Sequence, residues 1–286
     1  MKDMYIDLHT HTDHSDGLHS PRELCRRAQE AGVGILAITD HNVATDPDPL
    51  VPLFPGLKLI RGVEFSCMYA QPTGAEVETH IVALGFDPAH QGFLDLVARN
   101  HLDRASYIGG ILEKLRLHGM ELGTYEDLQK RHPGKAYIGR RDVAQLMKDL
   151  GYVETVDEAY DVYIGAFGQR KAYVPKPKGY ASLEEVVGTI RAAGGVAVLA
   201  HLYYFPVEDP EGLVRRFKAL GGQAMEVYYS TYDEAQTRSL KALADKYGLM
   251  YSAASDYHGQ GERDSLKTGF TADSCRELLA ALGCGY

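Results

Sequence analysis

Residues 182–201 read SLEEVVGTIRAAGGVAVLAH, and the order of features within them decides the fold class. Ser182 precedes Glu185 by three positions, the reciprocal capping arrangement that opens a helix. That helix stops at Gly194 and Gly195, and Val196 to Ala200 then form an unbroken apolar run of strand length. Such a run belongs to a strand covered on both faces, as in the parallel sheets of α/β proteins. His201 follows directly, and an imidazole that ends a buried strand needs a polar partner or a metal ion.

The same alternation extends to both sides. Strand signals lie at 4–8, 35–39, 57–65, 224–229 and 249–255, and residues 68–84 resemble a hairpin turning at Pro72, Thr73 and Gly74. Helices are opened by Ser20-Pro21-Arg22-Glu23, by Thr231 to Glu234, and by Ser274 with Glu277. Between about 97 and 178 the strand signal nearly vanishes and helical periodicity takes over, in segments at 102–117, 139–150 and 155–164. The expectation is an α/β chain, a parallel sheet or barrel interrupted once. Residues 1–97 and 179–286 then form the main domain, and 98–178 form an inserted helical subdomain.

The chain has 286 residues, 45% hydrophobic and 24% charged, without an apolar run long enough to span a bilayer. It opens without the basic stretch and apolar core of a signal peptide, so a cytoplasmic location and no membrane partner are expected. Cys25, Cys67, Cys275 and Cys284 are scattered and form no CxxC pair, which argues against a zinc ribbon or a disulfide framework. A net charge of −9 argues against a general nucleic-acid surface, and no stable nucleic-acid complex is expected. An anionic substrate would have to be drawn in locally, by metal ions and a few placed arginines.

Acid and imidazole side chains fall at strand ends. His9 and His11 end the first strand, and residues two apart on a strand share a face, so both can reach one ion. Asp16 lies on the next loop, Asp40 and His41 end the second strand, Glu64 the third, His201 the strand before it, and Asp256 and His258 the last. His80, inside the hairpin, is not placed by this logic. Any one of these has an ordinary reading: HxH occurs by chance, Asp-His pairs sit in turns and caps, and a glutamate can be a polar strand end. Chance explains the whole set poorly, because the carboxyl ends of parallel strands share one face of a barrel and bring distant ligands together. Imidazole and carboxylate without thiolate suit Zn²⁺, Mn²⁺ or Fe²⁺, and their number suits two or three ions. His14, His19, His90, His101, His118 and His132 lack such placement and are read as surface residues.

With these residues in hand, the chain resembles the PHP family (polymerase and histidinol phosphatase) of the amidohydrolase superfamily. HTHTDHSDG at 9–17, TDH at 39–41, GVEFS at 62–66, AHL at 200–202 and SDYHG at 255–259 resemble its motifs. IGRRDVAQLM at 138–147 and residues 171–201 are similar to its small phosphoesterase branch, which acts on nucleotide and sugar phosphates. The resemblance implies a distorted seven-stranded barrel with the helical insertion capping a site of up to three divalent ions. By position, His9, His11, Glu64 and Asp256 would hold one ion. Glu64 would bridge to a second bound by His80 and His201. Asp16, His41 and His258, with Asp256, would hold a third, and Asp40 would orient its neighbours. Two departures stand out: Leu202 where the family has proline, and Arg141 and Asp142 where its GRPH motif has Pro and His.

The implied reaction is attack of a metal-bridging hydroxide on the phosphorus of a small phosphorylated metabolite, with Glu64, Asp256 and His201 at its centre. Arg104, Arg140, Arg170 and Lys171 are candidates to bind substrate phosphate, through the fork that a guanidinium offers an anion. Against this stands the ordinary fate of arginines on amphipathic helices, solvated surface pairing. Nucleotide 3′,5′-bisphosphates and cyclic phosphates of a phosphorylated sugar both fit. Histidinol phosphate, short oligonucleotides and a non-catalytic binding module are the alternatives, as is C–N bond hydrolysis.

Overall fold

A computed structural model describes residues 4–133, 135, 137–165, 168–175, 181–259 and 264–284. The chain divides into two compact units, Met1–Val97 with Ala181–Tyr286, and Ala98–Tyr180.

The first unit holds one seven-stranded sheet whose strands lie in chain order: β1 Tyr5–Asp7, β2 Val33–Ile38, β3 Lys58–Ala70, β4 Glu76–Leu84, β5 Val196–Leu199, β6 Ala224–Tyr229 and β7 Met250–Ala254. Pairing is parallel except around β4, which runs antiparallel to both β3 and β5. The antiparallel β3–β4 pair is the hairpin read from residues 68–84, and β4 also runs antiparallel to β5 within the otherwise parallel sheet. The cause is the tight turn at Gln71 to Ala75, where Gln71 N donates to Ala75 O at 2.8 Å; a turn this short permits only a hairpin.

Period-two alternation explains why the strand before His201 is wholly apolar. Val196, Val198 and Ala200 pack with Ile6, Ile35, Val82 and Leu84 in one core cluster. Ala197 and Leu199 point the other way, into a cluster built with Val186 and Ile190 of the helix Leu183–Ala192 and with Phe217 and Leu240. Ser182 caps that helix by accepting from Glu185 N, as its sequence predicts. A third cluster, around Leu24, Ala28, Leu36 and Ile38, joins the helix Pro21–Glu30 to β2.

β3 is longer than expected, because the segment read as the first arm of a hairpin is its continuation. Its first residues pair with β2 as far as Ile38↔Arg61, and from Gly62 onward it pairs with β4. Gly62 sits where β2 and β3 close up: a Cβ there would lie 2.5 Å from Thr39 Cγ2 and 2.9 Å from Ile38 O. No other residue admits that approach without displacing the end of β2.

The second unit is helical. The helix Gln91–Leu117 enters it, followed by Tyr125–Arg131, Arg140–Asp149 and a π-helical turn Ala159–Ile164. Ile108, Ile111, Leu115, Leu128, Val143 and Met147 form its own core. Among the described residues, no helix is long and apolar enough to cross a membrane.

Candidate metal centre

The residues following β1 are held between two neighbours. Leu8 N donates to Ala253 O at 3.0 Å and His11 N to Tyr257 O at 2.8 Å, while Thr39 N donates to Thr10 O at 2.8 Å. The chain is therefore extended through His9 and His11 although β1 ends at Asp7. Their side chains share a face, with Nε2 atoms 3.0 Å apart. Glu64 lies midway along β3 rather than at its end, at the level where β2 stops, so its carboxylate emerges beside His41 in a parallel bridge. His80 is placed by register. It opposes Ser66 across the antiparallel β3–β4 pair, and Ser66 is two residues beyond Glu64, so His80 and Glu64 share a face.

Glu64 is the hub. Its Oε1 is 2.7 Å from His80 Nδ1 and 2.8 Å from His201 Nε2. Its Oε2 is 3.3 Å from both His9 Nε2 and His11 Nε2, and 2.8 Å from His41 Nδ1. Asp256 Oδ1 completes the first group at 3.5 Å from His9 Nε2 and 3.1 Å from His11 Nε2. On the other side Asp16 stands 3.3 Å from His258 Nε2, 3.6 Å from His41 Nε2 and 3.7 Å from His11 Nδ1. Three overlapping donor sets result: His9, His11 and Glu64; His41, Glu64 and His80; and His11, Asp16, His41 and His258.

These donors fit divalent cations. Ligands about 2.1 Å from an ion are separated by about 3.0 Å in octahedral and about 3.4 Å in tetrahedral geometry, and the donor separations here, 2.7 to 3.7 Å, lie around those values. The buried Glu64 Oε2 makes no hydrogen bond despite its three imidazole neighbours. Converging lone pairs without hydrogen-bond alignment are what a shared cation requires. Where the sequence placed His41 with Asp16 and His258, the structure brings it also to Glu64.

Charge reinforces this. Burial would raise the Glu64 carboxyl, but His41, His80 and His9 hold it well below the carboxylate range. Asp16, facing His41 and His258, and Asp256, facing His9 and His258, are likewise depressed against their burial. Burial pulls the imidazolium forms down, yet Asp256 and Glu64 outweigh it at His11, held up to about 10, and Glu64 and Glu78 at His80, about 9. In the metal-free protein protons occupy positions that cations would take.

A further layer orients the donors. Asp40 accepts from Thr12 N and Oγ1 and from Ser15 Oγ, all at 2.7 Å, and from Thr45 Oγ1 at 2.6 Å, tying together the loops that carry His11, Asp16 and His41. Glu226 on β6 is a residue that the sequence reasoning passed over. Its Oε1 accepts from His9 Nδ1 at 2.8 Å and its Oε2 from His201 N at 2.6 Å. An acid inside AMEVYY, an otherwise apolar strand, was the available signal. Tyr229 donates to Asp256 Oδ2 at 2.7 Å, and Asp7 accepts from Ser255 N at 3.0 Å. His201 and Asp256 both adopt positive φ, 23° and 56°, a conformation held by the donations from His201 N to Glu226 and from Asp256 N to His9 O. Of the histidines read as surface residues only His118 is exposed; the others are half-buried.

The candidate phosphate ligands all lie in the helical unit. Arg104 is buried, its guanidinium 4.0 Å over the Tyr137 ring. Arg140 opens the helix Arg140–Asp149, 5.9 Å from the Tyr160 ring. Arg170, at φ 56°, stacks on Tyr173 at 4.1 Å, and Lys171 lies 5.4 Å over Tyr163. Asp142, standing where the family motif has His, caps that helix by accepting from Gly139 N at 2.7 Å and pairs with Lys135 at 2.6 Å.

Known proteins resemble this chain along most of its length. A 3′,5′-nucleoside bisphosphate phosphatase from Chromobacterium violaceum is 31% identical over 97% of this chain and 96% of its own. A 5′-3′ exoribonuclease from Haemophilus influenzae is 31% identical over 88% of this chain and 89% of its own. A crystal structure from Bifidobacterium adolescentis, ascribed to a metal-dependent phosphoesterase, superposes with a TM-score of 0.81 at 27% identity, covering 96% of each chain. The PHP domain family matches residues 7–174, more than half of the sequence, and this chain belongs to it.

Proposed function

We propose that this site hydrolyses a small phosphorylated metabolite, a nucleotide 3′,5′-bisphosphate or a cyclic phosphate of a phosphorylated sugar. The chain is a metal-dependent phosphoric ester hydrolase. One observation carries the reading: both oxygens of the buried Glu64 face imidazoles that belong to different donor groups, so this carboxylate would hold ions on both sides. Bound there, two or three Mn²⁺, Zn²⁺ or Fe²⁺ ions would make a coordinated water acidic and neutralise the phosphate oxygens. His9, His11, Glu64 and Asp256 form one set of ligands, Glu64, His80 and His201 a second, and Asp16, His41 and His258 a third. Asp40 and Glu226 fix their orientation. Support for a bisphosphate comes from the likeness to the Chromobacterium phosphatase along nearly all of both chains.

The finer readings belong together. The sheet is a distorted barrel, supported by the backbone bonds that join the segment after β1 to Ala253, Asp256 and Tyr257. Arg104, Arg140, Arg170 and Lys171, all within the helical unit, are the candidates to take a second phosphate group. The enzyme works in the cytoplasm and forms no stable nucleic-acid complex, in line with its net charge of −9. The similarity to an exoribonuclease favours short oligonucleotides as the second substrate class. Metal analysis of the purified protein, then phosphate release from nucleoside 3′,5′-bisphosphates, cyclic sugar phosphates, histidinol phosphate and short oligonucleotides, tests the assignment. Bound metal with no release from any of them would overturn it.

A further inference from the structure

Glu226 and Tyr229 stand three apart on β6, and in a regular strand side chains at that spacing face opposite ways. Both nevertheless reach the metal centre. The pairing with β7 explains it: Glu226 lies opposite Ser252, Tyr228 opposite Ala253 and Tyr229 opposite Ala254, so β6 holds one residue more than its partner around Val227. Such a bulge turns the strand and re-aims the side chains that follow. Glu226 is thereby left on His9, while Tyr229 comes to Asp256, two residues beyond its own partner Ala254. Ser230 holds this register past the end of the strand, its N donating to Ala254 O at 3.1 Å and its Oγ to Ser255 O at 2.8 Å. The Tyr229 ring is buried, 4.9 Å from the Tyr232 ring and edge-on to His201 at 5.9 Å.

The two oxygens of Asp256 are thus put to different uses. Oδ1 lies 3.5 Å from His9 Nε2, 3.1 Å from His11 Nε2 and 3.6 Å from His258 Nδ1, whereas Oδ2 accepts from the Tyr229 hydroxyl at 2.7 Å. We infer that Tyr229 is a positioning residue that restricts Asp256 to one metal-ligating oxygen, so that the place a second oxygen would take on the ion stays open to water or substrate phosphate. The inference rests on the metal-dependent hydrolase reading and deepens it. A buried tyrosine hydroxyl needs an acceptor, and any carbonyl would satisfy it. Here the bulge delivers it to the Asp256 oxygen opposite the one that the imidazoles approach.

Tyr229→Phe keeps the ring and removes the donor. A carboxylate oxygen that loses its donor is costly to leave unpaired, and the ion beside it is the available partner, so Asp256 is expected to take the ion with both oxygens and displace a water. Chelator-stripped protein is loaded with Mn²⁺, and the relaxation of solvent protons reports the water on the ion. The variant is expected to relax solvent protons more slowly than wild type and to bind Mn²⁺ as tightly or more so, while kcat/KM for adenosine 3′,5′-bisphosphate falls by about 10–100-fold. A merely structural role would loosen Mn²⁺ and leave its water in place. Unchanged relaxation, weaker Mn²⁺ binding or unchanged kcat/KM in the variant overturns the inference. The wild-type protein tests it without relying on the variant to fold: a crystal structure with Mn²⁺ that shows Oδ1 alone on the ion and Oδ2 on Tyr229 supports the inference, and one with both oxygens on the ion overturns it. Slower relaxation in the variant, with no phosphate released from any substrate by either protein, would instead overturn the hydrolase reading and leave the role of Tyr229 standing.

Discussion

Replacing Glu226 by glutamine exchanges one carboxylate oxygen for an NH₂ group and should disable the metal ligand that this carboxylate orients. The carboxylate is buried and serves two donors, His9 Nδ1–H at 2.8 Å and His201 N–H at 2.6 Å. Glutamine supplies one acceptor and one NH₂ group. The backbone N–H of His201 cannot move its proton, so the amide oxygen must turn towards it, and the NH₂ then faces His9 Nδ1. His9 can accept from that group only by carrying its proton on Nε2, the nitrogen 3.0 Å from His11 Nε2 and 3.3 Å from Glu64. A protonated Nε2 binds no cation. Loss of an orienting partner of this kind costs about 10–100-fold in metal affinity, or about 1.4–2.7 kcal/mol. The loss should be confined to the set that contains His9, leaving Asp16, His41 and His258 able to load. The assay is calorimetric titration of chelator-stripped protein with Mn²⁺ or Zn²⁺, together with metal analysis of the loaded form. Thermal melting of the metal-free variant separates this effect from misfolding, since the exchange removes a buried charge without altering volume. Affinity and stoichiometry within about twofold of wild type, in a folded variant, would show that Glu226 does not set the His9 tautomer.

Three other outcomes are expected. Glu64→Ala removes the carboxylate that faces His9, His11, His41, His80 and His201, so it should abolish turnover and lower metal content while far-UV dichroism stays native; retained activity would contradict the bridging role. His11 and His80, with pKa values near 10 and 9 in the metal-free protein, are protonated at pH 7 and must release those protons when metal binds, so affinity should rise between pH 7 and 9 and calorimetric heats should depend on the ionisation enthalpy of the buffer. Because both values lie above the ordinary 6.5, these histidines stabilise the metal-free fold fully below about pH 6.5. That stability is lost progressively as pH climbs from 6.5 through 9 to 10, so the melting temperature of the stripped protein should fall across that whole window. Arg140→Ala should raise KM for a bisphosphate with metal content unchanged, and an unchanged KM would remove Arg140 from the phosphate site.

What the sequence revealed follows from which forces act locally. The run Val196 to Ala200 could be read because each residue of a strand covered on both faces must be apolar whatever its neighbours are, and His201 then stands out. Glu64 could be recognised as an acid in GVEFS, but not its level in the sheet. That level depends on where β2 stops, and the turn that sends β4 back lies beyond Ala70, so β3 looked like a strand ending at Phe65 followed by a separate hairpin. His80 was invisible to strand-end reasoning for the same cause: an antiparallel strand meets this face with its interior, and only the register Ser66↔His80 aligns it with Glu64. Glu226 shows the limit of pattern alone. A lone acid in an apolar strand announces a buried charge, and a buried charge announces a partner, yet the partners are an imidazole and a backbone amide more than twenty residues away. Asp142 gives the converse lesson, since a side chain standing at a motif position is occupied by the cap of its own helix and by an ion pair with Lys135. Chemistry therefore concentrates where a polar group on this sheet has no local partner, and Glu64, with one oxygen that three imidazoles approach without a hydrogen bond, meets that criterion most completely.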